Sequence, residues 1–292
     1  MKHQAQHSVK TPGRLYVVAT PIGHLADLSA RAREVLAAVD CIAAEDTRLT
    51  RHLLERHGIA SKLIAAHEHN ETAAAGQVVR LLDAGQDVAL VSDAGTPAIS
   101  DPGAAVVRAA RAAGYTVVPI PGANAATTLL SASGMAAPSY LFRGFLPREP
   151  NKRRTELRRL NSLPYPLVLY EAPHRIESTL ADIASCFEPE REICLGRELT
   201  KLHEEIHLCC VAAALSLLQA EPNRSRGEYA LALAAAPPRE DDANARAIEI
   251  VRELLLELPV RRASDLAAKL TGANRKALYA AALRMKEPTN DQ

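Results

Sequence analysis

Val88-Ala89-Leu90-Val91 runs directly into Ser92-Asp93-Ala94-Gly95-Thr96-Pro97, and the reading of this join decides the fold. A short apolar run with valines at both ends reads as a strand, and the small residues after it read as a long loop. Working outward, Leu15 to Ala19, Cys41 to Ala44 and Thr116 to Ile120 have the same strand character. Between these runs, Ala30 to Val39, Thr47 to His57, Glu71 to Ala84 and Ala104 to Ala113 place apolar residues at helical spacing. Gly58, Gly85 and Gly114 close three of those helices, where a left-handed C-terminal position favours glycine. Strand and helix thus alternate from Arg14 to Ile120, which predicts a parallel sheet flanked by helices.

A second alternating segment follows Pro121-Gly122, with a helix over Asn124 to Ser131 and strands at Leu141 to Phe145, Leu167 to Tyr170, Ile193 to Leu195 and Glu228 to Leu233. Pro237-Pro238 and Glu240-Asp241-Asp242 read as a linker before three short helices, Ala243 to Glu257, Arg261 to Leu270 and Asn274 to Met285. The expected organisation is a disordered segment over 1–13, α/β domains over 14–121 and 122–236, and a basic helical module over 243–286. Nine Lys or Arg against four Asp or Glu in 244–286 leave that module a local charge of +5.

With 292 residues, 48% of them hydrophobic and 24% charged, the chain is long enough for two domains and an appendage. Its formal charge of +1 excludes a uniformly polyanion-seeking surface, so any basic face must be local. The five cysteines, Cys41, Cys186, Cys194, Cys209 and Cys210, form no C-x-x-C pair and read as buried reduced thiols. The polar N-terminus lacks the apolar core of a signal peptide, and no apolar run is long enough to span a membrane, which points to the cytoplasm.

Three strand ends converge on one sheet edge, where α/β proteins place ligands. Thr20-Pro21-Ile22-Gly23 leaves the first strand without the G-x-G-x-x-G spacing of a dinucleotide loop, and reads equally as a tight turn or a ligand contact. The Ser92 to Pro97 loop continues through Asp101-Pro102-Gly103, and its Asp93 and Asp101 favour a cationic ligand over a phosphate. Asp101 itself fits best as the N-cap of the helix after Pro102. Pro121-Gly122-Ala123-Asn124 opens the next helix, with Asn124 as its cap. Glu45-Asp46-Thr47-Arg48 brings two carboxylates to the same edge, with capping by Asp46 an equal alternative. At Tyr170-Glu171-Ala172-Pro173-His174-Arg175 a strand of the second half ends in a carboxylate and two basic groups, Arg175 serving either a ligand or a structural ion pair. His67-Glu68-His69-Asn70 lacks a second ligand cluster, so no metal is expected there.

Leu15 to Gly23, Ala44 to Arg48, Ser92 to Pro97, Phe145-Leu146-Pro147 and Arg197-Glu198-Leu199-Thr200-Lys201 occur together and in this order. That set resembles the tetrapyrrole methylase superfamily, and within it the bacterial methyltransferases that modify cytidine 2′ oxygens of 16S ribosomal RNA; the resemblance covers about Arg14 to Met285. It implies a two-domain class III α/β methyltransferase with a small C-terminal helical module, S-adenosylmethionine in the inter-domain cleft, a homodimer, and 16S ribosomal RNA within the small subunit as partner. The segments Pro21, Ile22 and Gly23; Ser92, Asp93, Ala94, Gly95 and Thr96; Pro121, Gly122 and Ala123; and Glu171, Ala172 and Pro173 would carry the cofactor. His24 departs from the asparagine expected at its position.

Methyl transfer to a ribose hydroxyl draws most of its rate from positioning, and a nearby carboxylate can take the proton late. Glu45, Asp46, Asp93 and Glu171 are the candidates. Six cations against two acidic residues in 148–159 give +4 over a loop entering a helix, which suits phosphate contact. The candidate RNA contacts are Arg48, His67, Asn70, Arg148, Lys152, Arg153, Arg154, Arg175, Arg261, Arg262, Arg275 and Lys276. Three Phe, seven Tyr and no Trp leave few platforms for stacking bases, so recognition of assembled RNA by shape is expected. A same-fold methylase of a tetrapyrrole or peptide, and a non-catalytic ribosome assembly factor, are the alternatives.

Overall fold

The computed structural model describes residues 12–237 and 240–286, so residues 1–11 of the N-terminal segment, and Pro238 of the linker, lie outside it. The described residues up to Ala234 form one compact unit, and those from Ala235 onward form another.

The first unit contains two five-stranded sheets. The first is wholly parallel, in the order β3 (Leu63–Ala65), β2 (Cys41–Ala44), β4 (Val88–Val91), β1 (Leu15–Val18), β5 (Val117–Ile120). β2 and β4 are buried along their whole length, because helices cover both faces. On one face α1 (Ala30–Ala38) and α2 (Thr47–Arg56) contribute Ala32, Leu36 and Leu54; on the other α3 (Glu71–Asp83) and α4 (Ala104–Ala112) contribute Val78, Leu82, Val106 and Ala110. Gly58, Gly85 and Gly114 follow α2, α3 and α4 at φ of +67°, +78° and +83°, the left-handed closure expected of them. The three-residue strand β3 escapes the sequence reading, since Leu-Ile-Ala is too short to show a period.

The second sheet runs β6 (Leu141–Phe145), β7 (Leu167–Glu171), β10 (Tyr229–Leu233), β8 (Glu192–Arg197), β9 (Glu205–Cys210). Only β6 and β7 are parallel; β10 is antiparallel to β7 and β8, and β9 is antiparallel to β8. The side-chain alternation of β10 decides what covers each face. Tyr229, Leu231 and Leu233 point into a core made with α6 (Pro150–Leu160), α7 (Ile176–Cys186) and α8 (Val211–Gln219). Ala230 and Ala232 point to the other side, where α5 (Ala125–Ala132) packs Ala126 and Leu129 against them. α5 approaches so closely that a Cβ on Gly196 of β8 would stand 2.6 Å from Leu129 Cδ1. The helix that leaves the last strand of one sheet therefore covers the other. Cys41 and Cys194 are buried thiols, but Cys186, Cys209 and Cys210 are only half-buried because they lie at the end of α7 and on the edge strand β9.

In the second unit, α9 (Glu240–Leu254), α10 (Val260–Thr271) and α11 (Arg275–Lys286) pack around Ala247, Val251, Ala267, Leu278 and Ala282. Glu240 to Asp242, expected in the linker, belong to the start of α9. Gly272, at φ +72°, ends α10 and turns the chain into α11. No helix among the described residues is long and apolar enough to cross a membrane.

Candidate functional site

The carboxyl ends of β1, β4 and β5 are fastened to one another before any ligand is considered. Thr20 N donates to Gly95 O at 2.9 Å and Gly95 N returns a bond to Thr20 O at 3.1 Å. The Thr20 hydroxyl donates to Ser92 O at 3.1 Å, and the Thr96 hydroxyl to Ala123 O at 3.2 Å. Gly95 takes φ +78°, and a Cβ on Gly122 would stand 2.9 Å from Ala19 Cβ. The glycines and prolines of these loops thus serve backbone approach, and the loops form one rigid rim.

From the second sheet, the loop after β8 closes on this rim. Glu198 and Thr200 adopt φ of +48° and +64°, conformations that cost non-glycine residues energy and persist only where surroundings enforce them. Lys201 Nζ fastens the Glu198 side chain, donating to Glu198 Oε1 and Glu228 Oε2 at 2.8 Å each, and Thr200 N donates to Glu204 Oε2 at 2.5 Å. Burial works against the Lys201 charge, but the two carboxylates outweigh it and raise its pKa. The Thr200 hydroxyl accepts from His24 N at 3.1 Å, tying the two halves together. The His24 side chain is used locally, its Nδ1 accepting from Ala26 N at 3.2 Å.

Between rim and loop lies a cavity of about 250 Å³. Of the residues the sequence assigned to a cofactor, Ile22, Ala94, Gly95, Thr96, Glu171, Ala172 and Pro173 line it; Pro21, Gly23, Ser92, Asp93, Pro121, Gly122 and Ala123 belong to the same loops but not to its wall. Asn124, Ala125, Phe145, Tyr170, Glu198, Leu199, Lys201, Tyr229 and Ala230 also line it. Lys201 and Glu228 had no signal as wall residues, because they reach the cavity only through the antiparallel pairing of β8 and β10.

The four candidate bases separate once their partners are seen. Glu171 is 2% exposed, with Oε2 accepting from the Thr179 hydroxyl at 2.6 Å and Oε1 accepting from Ala172 N at 2.9 Å and lying 3.2 Å from Arg175 Nε. It is a structural anchor, and Arg175, which also donates to Leu146 O and Pro147 O, is occupied with it rather than presented to RNA. Asp46 caps α2 by accepting from Arg48 N at 2.8 Å; the hydrogen bonds from the Arg48 side chain and backbone hold its carboxyl down at about 2, too acidic for a base. Asp93 Oδ1 accepts from Asp46 N at 2.9 Å, and Glu45 Oε2 accepts from Asp93 N at 3.3 Å. Burial raises the pKa of both Glu45 and Asp93.

Asp101 does not cap α4. The cap comes from Glu71 at the start of α3, whose Oε1 accepts from Gly103 N at 2.8 Å and Ala105 N at 3.0 Å. Released from that task, Asp101 lines the cavity. Asn124 does cap α5, accepting from Ala126 N and Thr127 N at 3.0 and 3.2 Å, and it lines the cavity as well.

The candidate RNA contacts also divide. Arg153 points inward, its side chain 4% exposed and its Nε 2.6 Å from Asp182, so it does not belong to a phosphate-binding face. Arg154 bonds the other Asp182 oxygen and Asn151. Arg148, Lys152, Arg158 and Arg159 remain exposed on or beside α6. The Asn70 side chain folds its own turn, accepting from His67 N and donating to Ala65 O, and Arg48 is paired with Asp46. In the second unit Arg261, Arg262 and Lys276 are exposed, and Arg275 is exposed while pairing with Asp265. Among the described residues no group of three His, Cys, Asp or Glu is arranged to hold a metal ion.

A family model for tetrapyrrole (corrin/porphyrin) methylases matches residues 14–216, and one for the RsmI C-terminal HTH domain matches residues 241–286. A ribosomal RNA small subunit methyltransferase I from Escherichia coli O157:H7 is 44% identical over 283 residues, covering 97% of this chain and 99% of the relative. A protein of the same name from Neisseria meningitidis serogroup A is 46% identical over 94% of each chain. Among solved structures, the methyltransferase CobJ aligns with a TM-score of 0.58 at 18% identity, over 78% of this chain and 96% of its own. Uroporphyrin-III C-methyl transferase from Thermus thermophilus, complexed with S-adenyl homocysteine, aligns at 0.55 and 16% identity, over 76% and 97%. These two likenesses are of fold alone. With the family model spanning most of the chain and relatives similar from end to end, the chain belongs to the tetrapyrrole methylase family and, within it, to the branch of ribosomal RNA small subunit methyltransferase I.

Proposed function

We propose that the chain transfers a methyl group from S-adenosylmethionine to the 2′ oxygen of a cytidine ribose in 16S ribosomal RNA. The observation that carries this reading is the likeness, along nearly the whole chain, to relatives named ribosomal RNA small subunit methyltransferase I. The cavity suits the cofactor by its chemistry. Ile22, Leu199 and Ala230 offer an apolar surface to an adenine ring, backbone lies open at Gly95 and Ala94, and the carboxylates of Asp101 and Glu228 favour a ligand bearing a sulfonium and an ammonium group. The cofactor, when bound, supplies a methyl carbon made electrophilic by the positive sulfur. The residues around it hold it at the rim, exclude water and leave one side for the incoming ribose.

Phe145 ends β6 at the cavity wall, and Arg148 follows it by three residues at the start of the exposed basic face of α6. A cation row beginning beside the cavity suits an RNA backbone leading to the reacting ribose, and a porphyrinoid substrate needs no such row. Exposed cations of the helix-turn-helix unit supply a second basic surface. Action on assembled small subunits in the cytoplasm, by a two-copy enzyme, completes the reading; sedimentation at twice the chain mass would support the assembly.

Incubation with labelled S-adenosylmethionine and small ribosomal subunits tests the function. Label should appear at a cytidine 2′ oxygen, with short naked RNA modified poorly. Label in a peptide or tetrapyrrole, or none, retires the reading, and equal rates on naked RNA and subunits retire the assembled-substrate part of it.

A further inference from the structure

Methyl transfer to a ribose hydroxyl releases a proton, and a carboxylate that receives it must lie at the cavity and be free of a cationic partner. Four carboxylates line the cavity: Asp101, Glu171, Glu198 and Glu228. Glu171 is fixed by Thr179, the Ala172 amide and Arg175. Glu198 and Glu228 share Lys201. Among the described residues no lysine, arginine or histidine pairs with Asp101, and the Ser92 hydroxyl, just after β4, favours its charged form. Asp101 lies on a loop whose path is set by Ala98 at φ +65°, with Ile99, Phe145 and Tyr170 on the same cavity wall.

On the reading of the chain as a 2′-O-methyltransferase, we propose that Asp101 is the catalytic base that accepts the ribose 2′-hydroxyl proton. The hydroxyl O–H bond breaks and its proton passes to a carboxylate oxygen of Asp101. An electron pair of the ribose 2′ oxygen forms the bond to the methyl carbon, and the methyl–sulfur bonding pair stays on sulfur as a neutral thioether. Two positive features, the proton and the sulfonium charge, are thereby resolved next to one carboxylate.

The surroundings suit this task. Burial raises the Asp101 pKa from its ordinary value, the Ser92 hydroxyl moderates the rise, and Asp93 adds to it. Glu45, after β2, and the Tyr170 phenol, from β7, also sense the Asp101 charge. The titratable groups coupled to it are thus Asp93, Glu45 and Tyr170, and none supplies a cation. A more basic carboxylate is a better proton acceptor near neutral pH.

Asp101→Asn keeps the shape and removes the basicity. Single-turnover methyl transfer at saturating subunits should fall by about 100-fold or more, and the rising limb of the pH–rate profile should disappear. Cofactor affinity, by calorimetry, should change less than about tenfold, because one charge at a partly solvated wall is removed. A readout independent of activity comes from stability. A carboxyl whose folded pKa is raised stabilises the fold below its unfolded pKa, and that contribution is lost as pH rises through the folded pKa. Asp101→Asn escapes this loss, so its melting temperature should exceed that of the wild type at pH 8 and match it at pH 4. A structural or capping role predicts a lower melting temperature at pH 8. Should Asp101→Asn fail to fold, Ser92→Ala serves instead: loss of the hydroxyl that favours the carboxylate should move the rising limb to higher pH. An unchanged rate and limb in Asp101→Asn, or an unmoved limb in Ser92→Ala, overturns the proposal while leaving the function intact. Absence of 2′-O transfer by the wild type overturns the function itself.

Discussion

A single methyl group added at position 23 would collide with the opposite half of the cleft. A Cβ there would stand 2.5 Å from Lys201 Cγ, 2.7 Å from the Thr200 hydroxyl and 3.0 Å from the Leu199 carbonyl. The lysine stem can swing aside, but the carbonyl belongs to a loop already strained at Glu198 and Thr200. Gly23→Ala should therefore push the 198–201 loop off the rim and weaken S-adenosylmethionine binding by about tenfold or more, a shift of about 1.4 kcal/mol. Titration calorimetry reads this directly; unchanged affinity would mean that the loop contributes nothing to the site. At this scale the sequence shows that positions 20 to 23 require a turn. It does not show that the glycine faces a lysine 178 residues away along the chain.

Along α6 the sequence presents one basic cluster, and the helix divides it. Arg153, Leu157 and Leu160 fall on the buried face at helical spacing, while Lys152, Arg158 and Arg159 fall outside. The aliphatic stem of Arg153 lets a cation enter a core, and Asp182 on α7 neutralises it there at 2.6 Å. Arg153→Ala should cost about 3 kcal/mol of stability, the lower end for a broken buried pair, because Arg154 still holds Asp182. Chemical denaturation measures that loss. Arg148→Ala with Lys152→Ala should leave stability within about 0.5 kcal/mol and weaken subunit binding instead. Strong destabilisation by the exposed pair would refute the division into an inner and an outer face. β9 was illegible for a related reason: Glu205-Ile206-His207-Leu208-Cys209-Cys210 alternates weakly, and its polar members are explained by Arg224 and Arg197, which bind Glu205 from outside the strand.

For the molecule as a whole, a net charge of +1 conceals two basic regions offset by acidic strand-end loops. An acidic cleft suits a cationic cofactor, and separate basic faces suit a polyanion, so near-neutral total charge is compatible with both. Reversing Arg261, Arg262 and Lys276 to glutamate together should leave cofactor affinity unchanged and weaken small-subunit binding. The slope of log affinity against log salt should flatten by about 2 to 3 as phosphate contacts are lost. An unaltered slope would assign this unit a partner other than RNA.

Local chemistry was enough to read the strands β1, β2, β4 and β5, the helices between them and the glycines that end those helices, since each depends on a few neighbouring residues. It was also enough to gather the strand-end loops at one edge, because a parallel sheet allows no other place for them. What tertiary structure alone decided is which side chains at that edge are free to act. Glu171 looked available and is occupied by Thr179 and Arg175; Asp101 looked like a cap and is released because Glu71, 32 residues before Gly103, takes the α4 amides. A hydrogen bond has no sequence period, and a carboxylate's reactivity depends on partners brought to it by folding. The sequence by itself therefore places acidic residues beside a cofactor site, and the packed loops select among them.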